Sequence, residues 1–166
     1  MKRLIILVGP KGSGKSTIGA LLAERLPIHF FRVEPMFLEN LREGGLEGDA
    51  LTQRGFARIG VRIDDLFGAW PAVVIESTGA YPGFAGLLRG YREKYQVSLV
   101  RVRVPAEDCL SRVRSRDARD HIPVSDARVN EINAIAERVE LDWDLEIDNS
   151  GAFDPDGIVH AVGTLL

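Results

Sequence analysis

The stretch Gly9-Pro10-Lys11-Gly12-Ser13-Gly14-Lys15-Ser16-Thr17 constrains this chain more than any other. It fits the spacing G-x-x-x-x-G-K-[S/T] of a phosphate-binding loop. Its flanks fit as well. Leu4-Ile5-Ile6-Leu7-Val8 is a short apolar run of strand character, and Ile18, Leu21, Leu22 and Leu26 then recur at helical spacing. The order is strand, glycine loop, helix. Glycines let the backbone curl until successive N–H groups point into one concavity. A helix beginning near Gly14 adds its unpaired N–H groups and the positive end of its dipole. Lys15 then sets a point charge against the β and γ phosphates of a nucleoside triphosphate, and the Ser16 hydroxyl is placed for Mg²⁺. The competing dinucleotide pattern G-x-G-x-x-G fails, because Thr17 stands where its third glycine belongs.

Beyond the loop, strand-like and helix-like segments alternate. Pro27 ends the first helix. Ile28 to Val33 reads as a second strand closed by Glu34-Pro35, and residues 35–49 read as irregular around Gly44-Gly45 and Gly48. Asp49 is a plausible N-cap for a long helix to about Gly68, with Phe56, Ile59, Ile63, Leu66 and Phe67 on its apolar face. Ala72-Val73-Val74-Ile75 is a continuous apolar run, as expected of a strand buried on both faces. Val97 to Val104 alternates valine with Arg101 and Arg103, so one face there is less covered. Helices are expected around Phe84 to Tyr95, from Pro105 through Val113, after Ser125, and after Asp154-Pro155, where the N-cap precedes a proline at the first helical position. Leu145-Glu146-Ile147 is a short fifth strand. The alternation predicts an α/β three-layer sandwich: a five-stranded parallel sheet with right-handed crossovers and helices on both faces. Ligands in such folds bind at the carboxyl ends of the strands.

The chain has 166 residues, the size of one domain, so residues 1–166 read as a single unit. A net charge of −3 gives no global field toward nucleic acid or an anionic membrane. With one cysteine, Cys109, there is no internal disulfide, which suits a cytoplasmic protein. The first apolar run is too short to span a membrane.

Several further residues are candidates for chemistry. Glu76 ends the buried third strand, where a carboxylate can hold Mg²⁺; the plainer alternative is a carboxylate leaving the sheet for solvent. Glu34 follows strand two and could orient or deprotonate an acceptor hydroxyl, or be an ordinary loop carboxylate. Arg54, Arg58 and Arg62 form a basic stripe at i, i+4, i+8 that suits an anionic acceptor; the commoner explanation is the solvated face of an amphipathic helix. Arg112, Arg116 and Arg119 lead into a polar, arginine-rich segment at about 114–125. Arginines closing over a transferring phosphoryl group stabilise its charge, and a lid excludes water; the plainer alternative is a charged surface loop, in which Asp117 and Asp120 partly offset the arginines.

Taken together, the loop, the arginine segment and Asp148-Asn149-Ser150 resemble the small-molecule and nucleoside-monophosphate kinase group of P-loop proteins, which contains shikimate, gluconate and adenylate kinases. The resemblance runs nearly the length of the chain and implies the P-loop nucleoside triphosphate hydrolase fold with a helical lid segment. It implies ATP and Mg²⁺ as cofactors, contacts to adenine from Asn149 and Ser150, an acceptor site shaped by the helix bearing Arg54 and Arg58, and a place near the acceptor for Glu34. Strand three ends in Glu76-Ser77-Thr78-Gly79, not the Asp-Gly common in nucleoside-monophosphate kinases, which argues against a nucleotide acceptor. The expectation is an ATP-dependent kinase that moves the γ-phosphoryl group onto a hydroxyl of a small-molecule acceptor, whose identity the sequence does not give. The alternatives are a nucleotide-binding switch or regulatory module without transfer, and a polynucleotide-end or antibiotic-modifying kinase.

Overall fold

The computed structural model describes residues 2–43, 48–115 and 124–166. The apolar run after the N-terminus becomes β1 (Arg3–Val8), the middle strand of a five-stranded parallel sheet. It pairs with β3 (Ala72–Ser77) on one side and β4 (Gln96–Arg103) on the other, with β2 (Ile28–Phe31) and β5 (Leu145–Asp148) at the two edges. The order β2-β3-β1-β4-β5 has the first strand at its centre. Both faces of β1 are therefore covered, and every residue from Leu4 to Val8 is at most 1% exposed.

Alternate side chains of β1 enter different cores. Leu4, Ile6 and Val8 pack with Ile59, Ile63 and Leu66 of α3 (Gly48–Leu66) and with Phe84, Leu88 and Tyr91 of α4 (Phe84–Lys94). Ile5 and Leu7 pack with Ile18 and Leu22 of α1 (Lys15–Arg25) and with Ile158 and Val162 of α7 (Pro155–Gly163). This is the expected sandwich, with a helical layer on each side of the sheet. The N-caps expected from the sequence are present on two helices. Ser125 Oγ accepts from the Arg128 amide ahead of α6 (Asp126–Glu137), and Asp154 accepts from the Gly157 amide ahead of α7. The face of β4 carrying Arg101 and Arg103 has the thinner cover that the alternation predicts. Arg101 lies over the Trp143 ring and pairs with Glu140 and Glu146, while Arg103 is largely exposed.

One stretch departs from the sequence reading. Strand two stops at Phe31, and Glu34–Glu43 is a helix, α2, where irregular chain was expected. The pair Glu34-Pro35 reads as a stop only if a helix is not about to start. Proline in a first helical turn loses nothing, because its missing N–H would have had no partner there. The Val33 carbonyl accepts from the amides of Met36 and Phe37, which nucleates the turn. Glu34 thus opens a helix and does not end a strand. The segment expected as a lid lies mostly outside the described residues, since 116–123 are not described; α5 (Ala106–Arg114) leads into it.

The two cores predict unequal responses to truncation. Leu22 is fully buried under α1, so Leu22→Ala is expected to cost about 2–5 kcal/mol in urea unfolding. Ile135, on α6, is 45% exposed, and Ile135→Ala is expected to change stability by no more than about 0.5 kcal/mol. Equal losses at the two positions would contradict this assignment of inside and outside.

Candidate active site

After Val8 the backbone turns over the end of the sheet and re-enters regular structure at Lys15. Gly12 and Gly14 make the turn, with φ of 92° and 91°. A side chain there would be strained by the dihedral and blocked by its neighbours. A Cβ on Gly12 would lie 2.2 Å from the Cys109 carbonyl oxygen, and one on Gly14 2.4 Å from the Asn149 side-chain nitrogen. Gly14 also serves as N-cap of α1 without a side chain to satisfy the first amides, and the first turn holds no acidic residue. The helix start offers its first-turn N–H groups and the positive dipole end, which together suit an anion.

Lys15 is 7% exposed. Its Nζ donates to the carbonyls of Gly9 and Pro10 at 2.8 and 2.7 Å and to Ser13 Oγ at 3.4 Å. These neutral acceptors hold the ammonium above the loop, and a phosphate oxygen entering it would offer a stronger, charged one.

Ser16 Oγ donates to Glu76 Oε2 at 2.7 Å. The other carboxylate oxygen, Oε1, is buried without a hydrogen-bond partner. A buried charged oxygen of this kind is costly unless something positive sits beside it. The hydroxyl and carboxylate therefore fit Mg²⁺, which prefers a few oxygen ligands and keeps waters and substrate phosphates for the rest. Among the described residues no group of three or more His, Cys, Asp or Glu is placed to cage a metal. β1 and β3 set this pair, since Leu7 stands opposite Glu76 in the register.

Lys11, Gly12, Lys15, Ser16, Glu34 and Glu76 all face one cavity of about 200 Å³. Val33, Phe37, Phe56, Ser77, Thr78 and Tyr81 complete its described lining. Glu34 reaches it from the first turn of α2, with Lys11 Nζ 3.4 Å from its Oε1. Arg54 and Arg58 are not among these lining residues. They project from α3 onto Glu43, at 2.6 and 3.0 Å, on the outer surface. Arg112, on α5, donates from Nη2 to the Asn149 carbonyl at 3.1 Å, and so lies beside the loop. Asn149 Nδ2 in turn donates to the Ser13 carbonyl at 2.9 Å. Ser150 is exposed and donates to Asp148. Arg116 and Arg119 lie outside the described residues. A second cavity of about 380 Å³, lined by Gly9, Arg101, Arg103, Trp143 and Ser150 among others, touches none of Lys15, Ser16 and Glu76. The smaller cavity is the one that joins Lys15 and Ser16 to Glu34 and Glu76; the larger one meets the loop only at Gly9 and Pro10 and carries Glu137 and Asp148.

The sequence reading missed one residue that shapes the loop. Asn133 of α6 is 4% exposed. Its Oδ1 accepts from the Lys11 amide at 2.7 Å, and its Nδ2 donates to the Lys11 carbonyl at 3.0 Å. A signal for it was present. Asn133 follows Val129 by four residues and precedes Ala136 by three, so it falls on the apolar stripe of α6, where a polar side chain needs a partner. Cys109 contributes its backbone and not its thiol. Burial pushes the thiol pKa up, which makes it a poor nucleophile.

Residues 4–139 match the model of the AAA domain family. The chain belongs to that family. Among curated proteins none matches its sequence significantly. Solved structures share the fold of this AAA domain protein over nearly its whole length. A sugar kinase from Janibacter sp. HTCC2649 superposes with a TM-score of 0.70 at 19% identity, over 99% of this chain and 94% of that one. A gluconokinase from Sinorhizobium meliloti 1021 gives 0.62 at 21% identity, over 97% and 90%. A shikimate kinase from Aquifex aeolicus gives 0.60 at 20% identity, over 98% and 95%. The P-loop kinase-like α/β fold expected from the sequence is thus the observed one. Among the described residues no helix is long and apolar enough to cross a membrane.

The clamp on Lys11 gives a prediction. Asn133→Ala leaves the part-buried N–H and carbonyl of Lys11 without this partner, at the lower end of about 1–3 kcal/mol for each group. ATP affinity, measured by calorimetric titration, is expected to fall by roughly tenfold, a loss of about 1.4 kcal/mol. Asn133→Asp, which keeps the acceptor and loses the donor, should fall between. Unchanged ATP affinity in Asn133→Ala would mean that the loop keeps its shape without α6.

Proposed function

We propose that this AAA domain protein is an ATP-dependent kinase that moves the γ-phosphoryl group onto a hydroxyl of a small-molecule acceptor. One observation carries the reading: the phosphate loop opens directly into a side cavity that has its own carboxylate, Glu34, opposite the Ser16–Glu76 pair. A protein that only held nucleotide would have no need of a further carboxylate and an aromatic lining beside Lys15, Ser16 and Glu76. The kinases that share its fold support the same reading.

In this scheme the loop from Gly9 to Thr17 wraps the phosphates and its amides from Gly14 onward face them, since those of Gly9, Lys11 and Ser13 are taken by Ser77, Asn133 and Pro10; Lys15 turns from the Gly9 and Pro10 carbonyls to the β and γ oxygens. Ser16 and Glu76 hold Mg²⁺, which supplies charge neutralisation at the phosphates. The acceptor hydroxyl oxygen attacks the γ-phosphorus, the bond from that phosphorus to the β–γ bridging oxygen breaks, and ADP leaves. The hydroxyl proton passes to Glu34, the carboxylate nearest the side cavity that the metal does not use. Arg112 stabilises charge from its place beside Asn149, and Arg116 and Arg119 are assigned the same role on sequence grounds. Asn149 and Ser150 are assigned to the adenine side. Arg54 and Arg58, held by Glu43, are left with a role only if the acceptor extends to the outer surface.

Lys15→Ala is expected to lower the rate of transfer by at least about a hundredfold, with little change in the unfolding midpoint. Glu76→Gln should weaken the dependence of ATP binding on Mg²⁺ while the apoprotein stays folded. Transfer at the unaltered rate in Lys15→Ala, followed with γ-labelled ATP, would rule out this assignment.

A further inference from the structure

The wall of the side cavity facing away from the phosphate loop is aromatic. Phe37 of α2 meets Phe56 of α3 edge-on, with centroids 5.4 Å apart and planes at 81°. Phe56 then lies 4.6 Å from Tyr81, which follows β3. All three rings line the cavity. They are brought together by a close approach of two helices: a Cβ on Gly55 would lie 2.4 Å from Phe37 Cε1, so only a residue without a side chain lets the Phe37 ring settle there.

The charges of the described lining cancel. Two lysines, Lys11 and Lys15, face two glutamates, Glu34 and Glu76. Each is already engaged: Lys11 with Glu34, Lys15 with the loop carbonyls, and Glu76 with Ser16. No arginine is among the described lining residues. Among the described lining residues, a carboxylate or phosphate on the acceptor would meet two carboxylates, two lysines already engaged and no guanidinium, and burying an unpaired anion is costly. The described hydroxyls, on Ser77, Thr78 and Tyr81, are few for a polyol whose every hydroxyl must be matched. The cavity of about 200 Å³ is also small, against roughly 300–1,000 Å³ for drug-sized ligand sites.

We infer that the acceptor is a small, uncharged alcohol with a flat apolar face, which stacks on Phe37, Phe56 and Tyr81 while its hydroxyl points to Glu34. This rests on the kinase reading and narrows it. An acidic sugar, an organic acid, a nucleotide and a polycationic aminoglycoside are then poor acceptors. Aromatic stacking holds one end of the molecule, and the carboxylate orients the hydroxyl at the other.

The test is calorimetric titration of the full chain loaded with Mg²⁺ and a non-hydrolysable ATP analogue. The probes are 1-phenylpropane-1,3-diol and 2-phenylethanol as flat neutral alcohols, sorbitol as a neutral polyol, gluconate and shikimate as anions, and kanamycin as a cation. One of the flat alcohols is expected to bind at least about tenfold tighter than any of the others. Phe56→Leu should weaken that binding by roughly tenfold, and Gly55→Ala, which pushes the Phe37 ring into the cavity, should weaken it too. Both variants should bind the ATP analogue as the parent does, which shows that they are folded. Tighter binding of gluconate, shikimate, sorbitol or kanamycin, or binding of none of the six, overturns the inference. Transfer to one of those four would overturn it while upholding the kinase reading. Failure of the parent chain to bind the ATP analogue would remove the kinase reading itself.

Discussion

A phosphate loop must keep its amides unspent. Every N–H aimed at a ligand is one that the loop cannot use to hold its own shape, so the shape has to be imposed from outside. Here four elements impose it. Asn133 of α6 takes both backbone groups of Lys11, the Cys109 carbonyl of α5 abuts Gly12, Asn149 after β5 takes the Ser13 carbonyl, and Glu76 of β3 takes the Ser16 hydroxyl. These contacts come from distant parts of the chain and converge only because β3 and β4 flank β1. The order of the sheet is thus a condition for the loop. Its central strand, buried on both sides, gives the loop a rigid base at Val8.

The same convergence divides the loop's surroundings into two sides. α5 and the segment after β5 bring Arg112 and Asn149 to one side of the phosphates. α2, α3, β3 and the turn after β3 bring Glu34, the aromatic wall and Glu76 to the other. In the kinase reading proposed above, the nucleotide is assigned to the first side and the acceptor to the second. The Lys11–Glu34 pair links the two sides at 3.4 Å. The contact is only partly buried, and its strength is modest. It places Glu34 beside the loop without locking it there.

Much of this was legible in the sequence because it rests on local patterns. The phosphate loop has a fixed spacing, the apolar runs of β1 and β3 mark strands buried on both faces, and Ser125 and Asp154-Pro155 mark helix starts. Ser16 and Glu76 were placed together by the rule that strand ends form the site. What could not be read depends on the packing of remote elements. Glu34-Pro35 is compatible with a stop or a helix start, and only the position of Val33 above α2 decides it. Phe37, Phe56 and Tyr81 look like core residues at helical or loop spacing, and they become a cavity wall only when α2 crosses α3 at Gly55. Arg54 and Arg58 formed a legible stripe, but the sequence does not say that Glu43 lies across from it. Asn133 was hidden in plain view on an apolar stripe.

The central claim is that the loop and the Ser16–Glu76 pair together form a site for a metal-bound triphosphate. The most direct measurement is calorimetric titration of ATP, ADP and AMP, each with and without Mg²⁺. The account predicts that affinity rises with each added phosphate and that Mg²⁺ tightens ATP most. Affinity that is the same for AMP and ATP, or indifferent to Mg²⁺, would contradict it.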